Sequence, residues 1–175
     1  MLDFLWQLAG LYDYITIFIT WSFVLAFLYN LSASINKSDN SCTQLAFIMM
    51  VSYTSSIFMD PLSNTPHLTL FIFDIITIFF LVLWRIYFGK NLPVAFYYLL
   101  VGLSFNAFVF FGMHYDSIVL GNLDYWWFWA LYAIGQIISD LMMLLVLLIN
   151  KDFLGLVALK RYLLNRIKNI HQKVE

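Results

Sequence analysis

The sequence predicts an all-α membrane protein: a polytopic bundle of five transmembrane helices followed by a C-terminal amphipathic helix. Of its 175 residues, 63% are hydrophobic and 11% are charged, with a mean hydropathy of +0.84. A water-soluble fold cannot cover that much apolar surface. The apolar residues form continuous runs rather than the alternating pattern of a lipid-facing strand. All nine Lys and Arg residues fall on one side when these runs are threaded through a bilayer.

Five stretches are candidates for helices that cross the membrane. A crossing helix needs about 20 mostly apolar residues at a rise of about 1.5 Å each. We predict spans over about 11–33, 44–59, 68–87, 94–112 and 126–149, so that residues 1–150 form one bundle. The second span is the least apolar, since its centre reads Ser52-Tyr53-Thr54-Ser55-Ser56. Polar loops separate the spans, and Pro61, Pro66 and Pro93 are expected outside the helices.

The charge distribution predicts an N-terminus outside and a C-terminus in the cytoplasm. Lys37 then lies in the first inner loop, Arg85 and Lys90 flank the second, and the other basic residues lie in the tail. The outer segments contain no Lys or Arg. They contain five carboxylates, namely Asp3, Asp13, Asp60, Asp116 and Asp124. This is the positive-inside pattern. Compactness and short loops favour a prokaryotic inner membrane.

Two carboxylates fall inside predicted spans, Asp74 in the third and Asp140 in the fifth. An acid near the bilayer centre costs roughly 2.5 to 3.5 kcal/mol on insertion scales, so each needs a partner or water. Helical rise puts Asp74 roughly 10 Å and Asp140 roughly 20 Å from the outer face, so we expect them not to touch. Asn106 is expected level with Asp74, while Gln136 and Ser139 lie beside Asp140.

These polar groups, with Ser52, Ser55 and Ser56 of the second span, allow a buried polar seam that joins the second to the fifth spans. Two interpretations are open. Interhelical hydrogen bonds hold many membrane bundles together without transporting anything. Alternatively, the two carboxylates are stepping points for a proton or a cation.

The outer loops contain His67, His114 and Asp116, the only candidate metal ligands. Imidazole and carboxylate suit a divalent metal, but these residues lack the close, fixed spacing of a metal motif. We therefore predict neither a metal nor a cofactor. The sequence also lacks a His-Glu-x-x-His motif, a Gly-x-Ser-x-Gly elbow and a phosphate-binding glycine loop, so we predict a protein without catalytic activity.

Residues 151–175 predict a basic amphipathic helix and tail. Apolar residues recur every three or four positions, at Leu156, Leu159, Leu163, Ile167 and Ile170. On the inner leaflet, basic residues are expected to contact anionic lipid, namely Lys151, Lys160, Arg161, Arg166 and Lys168. Docking of the apolar face on a cytosolic partner or neighbouring subunit is the alternative. No nucleic-acid partner is expected.

Two classes of function fit the sequence. The first is a non-catalytic inner-membrane protein that acts by association: a small subunit or accessory of a membrane assembly, a homo-oligomer, or an immunity-type protein that neutralises a membrane-active toxin. Short loops and many aromatic side chains favour it. The second is a small proton- or cation-conducting channel or transporter that uses Asp74 and Asp140. The bilayer is a partner in either case.

Overall fold

The computed structural model describes residues 2–35, 39–58, 65–88, 92–124 and 126–171, without the side chains of residues 2–13, 164 and 167–171. Its helices are α1 (Leu2–Ser34), α2 (Ser41–Ser56), α3 (Pro66–Phe88), α4 (Val94–His114), α5 (Trp127–Ile149) and α6 (Leu156–His171), with a π-helical turn at Tyr115–Val119. The predicted all-α class is confirmed over these described residues. Some residues of the charge analysis lie outside them: Asp60, Lys37, Lys90, Lys173 and the side chains of Asp3, Asp13 and Lys168.

Four helical segments are long and apolar enough to cross a membrane. They are Tyr14–Ser34 within α1, all of α3, Val94–Val119, which is α4 with the π-helical turn, and α5. The second helix, α2, has 16 residues, which at helical rise is about 24 Å. That is short of a hydrocarbon core of about 30 Å. By length and composition, the structure therefore supports four of the five predicted spans.

Several helix ends differ from the predicted boundaries. The first helix begins at Leu2 rather than near residue 11, and α4 continues through the π-helical turn to Val119 rather than ending near residue 112. Pro66, expected in a loop, is the first residue of α3. That prediction is wrong because the first helical position suits proline, whose missing N–H has no partner there in any case. Pro93 does precede its helix, and Pro61 lies outside the described residues.

The first five helices pack as a closed ring in chain order, since each contacts the next and α5 contacts α1. Successive helices run in opposite directions. At one end of the ring, the Asn30 carbonyl of α1 accepts from Thr43 Oγ1 at the start of α2 (3.1 Å). Asn30 Nδ2 donates to the Leu147 carbonyl near the end of α5 (3.0 Å). Trp84, near the end of α3, donates to Gln44 Oε1 of α2 (2.7 Å).

We call this end of the ring the basic end and the other the opposite end. The basic end holds a group of cationic residues: Arg85, Lys151, Lys160, Arg161 and Arg166. Asp152 connects α6 to it. The Asp152 carboxylate accepts from the Tyr98 hydroxyl of α4 (2.8 Å) and from the N–H groups of Val157 (3.1 Å) and Ala158 (3.0 Å). The carboxylate thus caps the start of α6 and joins it to the bundle.

One face of α6 stays uncovered by the bundle. Lys160 Nζ donates to the Tyr97 hydroxyl (2.8 Å) and lies 4.2 Å from the centroid of that ring. The side chains of Leu159, Tyr162 and Leu163 are about half exposed. The helix is therefore held at its start, while its apolar side is open to contact with lipid or protein.

A large cluster of buried apolar side chains extends from the cavity toward the basic end, and others, such as Val109 and Met113 of α4, are buried nearer the opposite end. The cluster draws fully buried side chains from all five helices, among them Phe23, Leu45, Met49, Leu81, Leu99, Leu103 and Val146. The α4 and α5 helices approach each other closely at Gly102 of α4, where a Cβ atom would lie 2.6 Å from the Met143 side chain of α5. Ser139 Oγ donates to the Gly102 carbonyl at the same crossing (3.2 Å).

Candidate functional site

A cavity of ≈ 70 Å³ lies in the half of the ring near the opposite end, where all five helices meet. That volume is enough for several ordered water molecules. Eight polar side chains line it: Thr16 of α1, Ser52, Tyr53 and Ser56 of α2, Asp74 of α3, Asn106 of α4, and Gln136 and Asp140 of α5. Within α2 and within α5 the polar residues recur at four-residue spacing, which places them on one helix face. The cavity is therefore polar inside an otherwise apolar bundle.

Asp140 is the hydrogen-bonded centre of the cavity wall. Its side chain is 2% exposed. Its Oδ1 atom accepts from the Tyr53 hydroxyl and from Asn106 Nδ2 (2.7 Å for the amide). The Tyr53 ring stacks on Phe23 of α1, with ring centroids 4.1 Å apart. Charge-assisted hydrogen bonds of this kind fix both donors and acceptor, so Asp140 ties α2, α4 and α5 together.

Three other polar atoms of the cavity lining are buried and have no hydrogen-bond partner among the residues that the structure describes. They are Asp74 Oδ2, Asn106 Oδ1 and Gln136 Oε1, and all three are acceptors. An unsatisfied buried polar atom costs about 1–3 kcal/mol, and native proteins contain few of them. Asp74 is also close enough to Asp140 for the two carboxyl groups to interact electrostatically. The three unpartnered acceptors and the two carboxyl groups thus lie around the same cavity.

Asp74 and Asp140, which are expected at different depths and not in contact, both line this cavity. The expected depths assume that the helices of Asp74 and Asp140 begin at the same level in the membrane. His67, the second residue of α3, packs against Tyr132, the sixth residue of α5, so α5 begins about one helical turn farther out than α3 does. Asn106, expected level with Asp74, lines the same cavity, but its hydrogen bond goes to Asp140.

Four of the five predicted intramembrane residues therefore meet at the cavity: Asp74, Asn106, Gln136 and Asp140. Ser139 does not line it, because its hydroxyl faces α4 and bonds the Gly102 carbonyl. Sequence reasoning missed Thr16 and Tyr53 as members of the site. The polar run at the centre of the second span was a signal for Tyr53, whereas nothing in α1 singled out Thr16.

Two histidines lie toward the opposite end, beyond the cavity. His67, in the first turn of α3, packs edge-on against Tyr132, with ring centroids 5.3 Å apart. It is close enough to His114, the last residue of α4, for the two imidazoles to interact electrostatically. Within the described ranges, no three His, Cys, Asp or Glu residues gather into a metal-binding group.

Asp116, the third weak metal candidate, is engaged in the loop after α4. Its Oδ2 atom accepts from the indole N–H groups of Trp126 (2.9 Å) and Trp129 (3.1 Å). Its Oδ1 atom accepts from Asn122 Nδ2 (3.0 Å). With both oxygens occupied, Asp116 holds the connection between α4 and α5 in place.

Comparison with protein-family models, with curated proteins and with solved structures gives no match for the chain. The chemistry of the cavity is then the basis for function. Its described lining contains two carboxyl groups and no Lys or Arg. A low-dielectric cavity with acidic groups of this kind favours a proton or a cation over an anion.

Proposed function

We propose that this chain is an integral membrane protein that moves a proton or a small cation across the bilayer through the polar cavity. The observation that carries the proposal is the convergence of Asp74 and Asp140 on one cavity. Carboxyl groups are costly in hydrocarbon and typically mark pathways for ions or protons. If the polar side chains of the cavity had only a structural role, we would expect them to be hydrogen-bonded to one another. Three acceptors have no partner among the described residues.

The proposal includes five membrane crossings, with the N-terminus outside and the basic end in the cytoplasm of a prokaryotic cell. The second helix runs antiparallel to its neighbours and contacts α1, α3, α4 and α5, as a crossing helix would. A short span is accommodated by local thinning of the bilayer at modest cost. Arg85 and Lys151 at the basic end fit the positive-inside rule.

The orientation has a direct test at Cys42, the chain's single cysteine, in the first turn of α2 at the basic end. A membrane-impermeant thiol reagent should label it in opened cells and leave it unlabelled in intact ones. Labelling in intact cells would refute the proposed orientation. Denatured protein serves as the control for full reactivity of the thiol.

The histidine pair supports entry from the opposite end. His67 lies two helical turns before Asp74 on the same face of α3, and His114 lies two turns beyond Asn106 on α4. Imidazole nitrogens can donate and accept hydrogen bonds. Exchangeable groups thus stand between that end of the bundle and the cavity, as a proton or cation pathway requires.

Flux in proteoliposomes tests the transport proposal. Asp74→Asn and Asp140→Asn should each express and purify normally but reduce a proton or cation flux at least about tenfold, because each removes a charge from the pathway. Asp124→Asn, the same chemical change at an exposed position in the α4–α5 loop, should retain the parent flux. Absence of flux from the parent under both proton and cation gradients would contradict the proposal.

Association with another membrane protein is the second candidate, as a subunit of an assembly, a homo-oligomer or an immunity-type protein. An apolar groove of ≈ 300 Å³ between α2 and α3 favours it, with walls from Phe47, Val51, Phe73, Ile76 and Phe80. On this proposal the aspartate variants lower assembly or thermal stability, and the parent protein carries no flux. Native electrophoresis of solubilised membranes, beside the flux assay, separates the two candidates.

A further inference from the structure

The unpartnered atoms of the cavity limit what it can bind. Asp74 Oδ2, Asn106 Oδ1 and Gln136 Oε1 come from three different helices, α3, α4 and α5. The amide of Asn106 has a defined orientation, because its Nδ2 donates to Asp140 and its oxygen is therefore turned away from that carboxylate. Asp74 is 9% exposed and Asn106 is 2% exposed, so bulk solvent does not serve these oxygens.

Hydroxyl groups in the cavity wall do not supply the missing donors, because they are used elsewhere. Ser52 Oγ lies 2.6 Å from Thr77 Oγ1, and Ser56 Oγ donates to the Tyr53 carbonyl (2.8 Å). The Tyr53 hydroxyl donates to Asp140. These three hydroxyl groups are therefore not available to the unpartnered oxygens.

We infer that the cavity holds a small cation coordinated by Asp74 Oδ2, Asn106 Oδ1 and Gln136 Oε1, an inference that rests on the proposed transport function. A proton alone protonates one carboxylate and supplies one donor, so both amide oxygens then depend on cavity water for a partner. A cation attracts all three oxygens at once. Carboxylate and amide oxygens are hard ligands, which suit alkali, ammonium-type and hydrated alkaline-earth ions.

The charge and the size of the cavity agree with this ligand class. Asp74 and Asp140 both line the cavity, so a positive ion there lies near two carboxyl groups. The volume of ≈ 70 Å³ admits a small ion together with a few water molecules that complete its coordination shell. Bulky organic cations such as choline are therefore suitable references that should not bind.

Thermal unfolding of the purified full chain in detergent measures this binding. Na⁺, K⁺, NH₄⁺ and Mg²⁺ are each titrated against choline at constant ionic strength. A ligand that binds the folded state alone raises the unfolding temperature as its concentration passes the Kd. We expect at least one of the four ions to give a saturable rise that choline does not.

Variants at Gln136 assign the ion to the cavity. Gln136→Leu removes one coordinating oxygen and should weaken the apparent affinity by about tenfold or more, while Gln136→Glu keeps oxygen at that position and should retain binding. Asp74→Asn should weaken binding at least as strongly. Ser139→Ala changes the same helix outside the cavity and should leave the affinity unchanged. Should Gln136→Leu not purify as a folded protein, Gln136→Ala carries the same expectation.

Each other outcome overturns the inference, and the flux assay shows whether the proposed function falls with it. Proton flux by the parent without any ion-dependent rise in unfolding temperature refutes the cation site and leaves proton transport standing. A saturable rise that Gln136→Leu and Asp74→Asn do not alter places the ion elsewhere. Neither flux nor a rise refutes the cation site and the transport proposal together.

Discussion

The two halves of the helix ring are built on opposite principles. Near the basic end, side chains such as Leu45, Leu81 and Leu99 are fully buried against one another. The polar groups there are paired, as Asn30 is with two carbonyls and Trp84 is with Gln44. Near the opposite end, the same five helices surround a polar cavity with three unpartnered acceptors.

That difference separates stability from function within one bundle. Close packing and satisfied hydrogen bonds favour a single arrangement of helices, whereas buried acceptors without donors lower stability until something supplies their partners. The basic half thus holds the helices in register, and the cavity half is free to bind. Comparable substitutions in the two halves should then have unequal effects, or effects of opposite sign.

The largest effect is expected in the packed half. Leu99 is fully buried in the core, so Leu99→Ala should lower the free energy of unfolding by about 2–5 kcal/mol through lost contacts and the space left behind. Thermal unfolding in detergent measures the loss. Leu145, on α5, is 46% exposed on the surface, and Leu145→Ala is the matched control with a small expected effect. Equal losses of unfolding free energy for the two variants would contradict the role of close packing in this half.

A paired amide in the same half should lose less. Asn30 Nδ2 donates to the carbonyls of Ala26 (2.9 Å) and Leu147 (3.0 Å). Asn30→Leu removes the bonds from α1 and should destabilise the protein by about 1 kcal/mol, the usual scale for hydrogen bonds between membrane helices. The same unfolding assay applies, and an unchanged or higher unfolding temperature would count against a stabilising role for this amide.

The equivalent change in the cavity should act in the other direction. Gln136→Leu removes an unpartnered buried acceptor, so in choline buffer, without a binding ion, it should raise stability by up to about 1 kcal/mol. The pair of amide-to-leucine variants thus compares the two halves with one chemical change. A loss for Gln136→Leu as large as that for Asn30→Leu would show that the cavity is structural.

The smallest effect concerns the attachment of α6. Burial raises the pKa of Asp152, but hydrogen bonds from Tyr98 and the backbone N–H groups lower it more, so the net pKa lies below the ordinary 3.8. The ionised form is therefore the one that stabilises α6, and its contribution is present above pH 3.8 and lost as the pH falls through the lower folded-state pKa.

Asp152→Asn should reproduce that loss at neutral pH, with faster hydrogen exchange at Val157 and Ala158 and little change in global unfolding. Asp124→Asn, in the loop between α4 and α5, should not alter exchange in α6. Unchanged exchange at both amides in Asp152→Asn would contradict the assigned role of the carboxylate.

Much of the architecture could be predicted because it depends on local pattern. Apolar runs predicted where α1, α3, α4 and α5 lie, and the repeat at Leu156, Leu159 and Leu163 predicted α6. Asp74 and Asp140 could also be identified from the sequence, because an ionisable residue inside an apolar run is rare and costly in a membrane.

What the sequence did not reveal depends on how helices are offset from one another. Helical rise gives the distance of Asp140 from the start of its own helix, but not the level of that start relative to α3. That level is fixed by contacts between helices, such as that of His67 with Tyr132, which no pattern within one helix predicts. Tyr53 reaches Asp140 across 87 positions of the chain, a tertiary contact that periodicity within one helix cannot indicate.

The close crossing at Gly102 limits how α4 and α5 can move relative to one another. The α4 backbone at Gly102 lies against Ser139 and Met143 of α5. Sliding or rotation of α4 past α5 would therefore require these side chains to move. If transport through the proposed pathway requires the ring to open, the opening is expected at a helix pair other than α4 and α5.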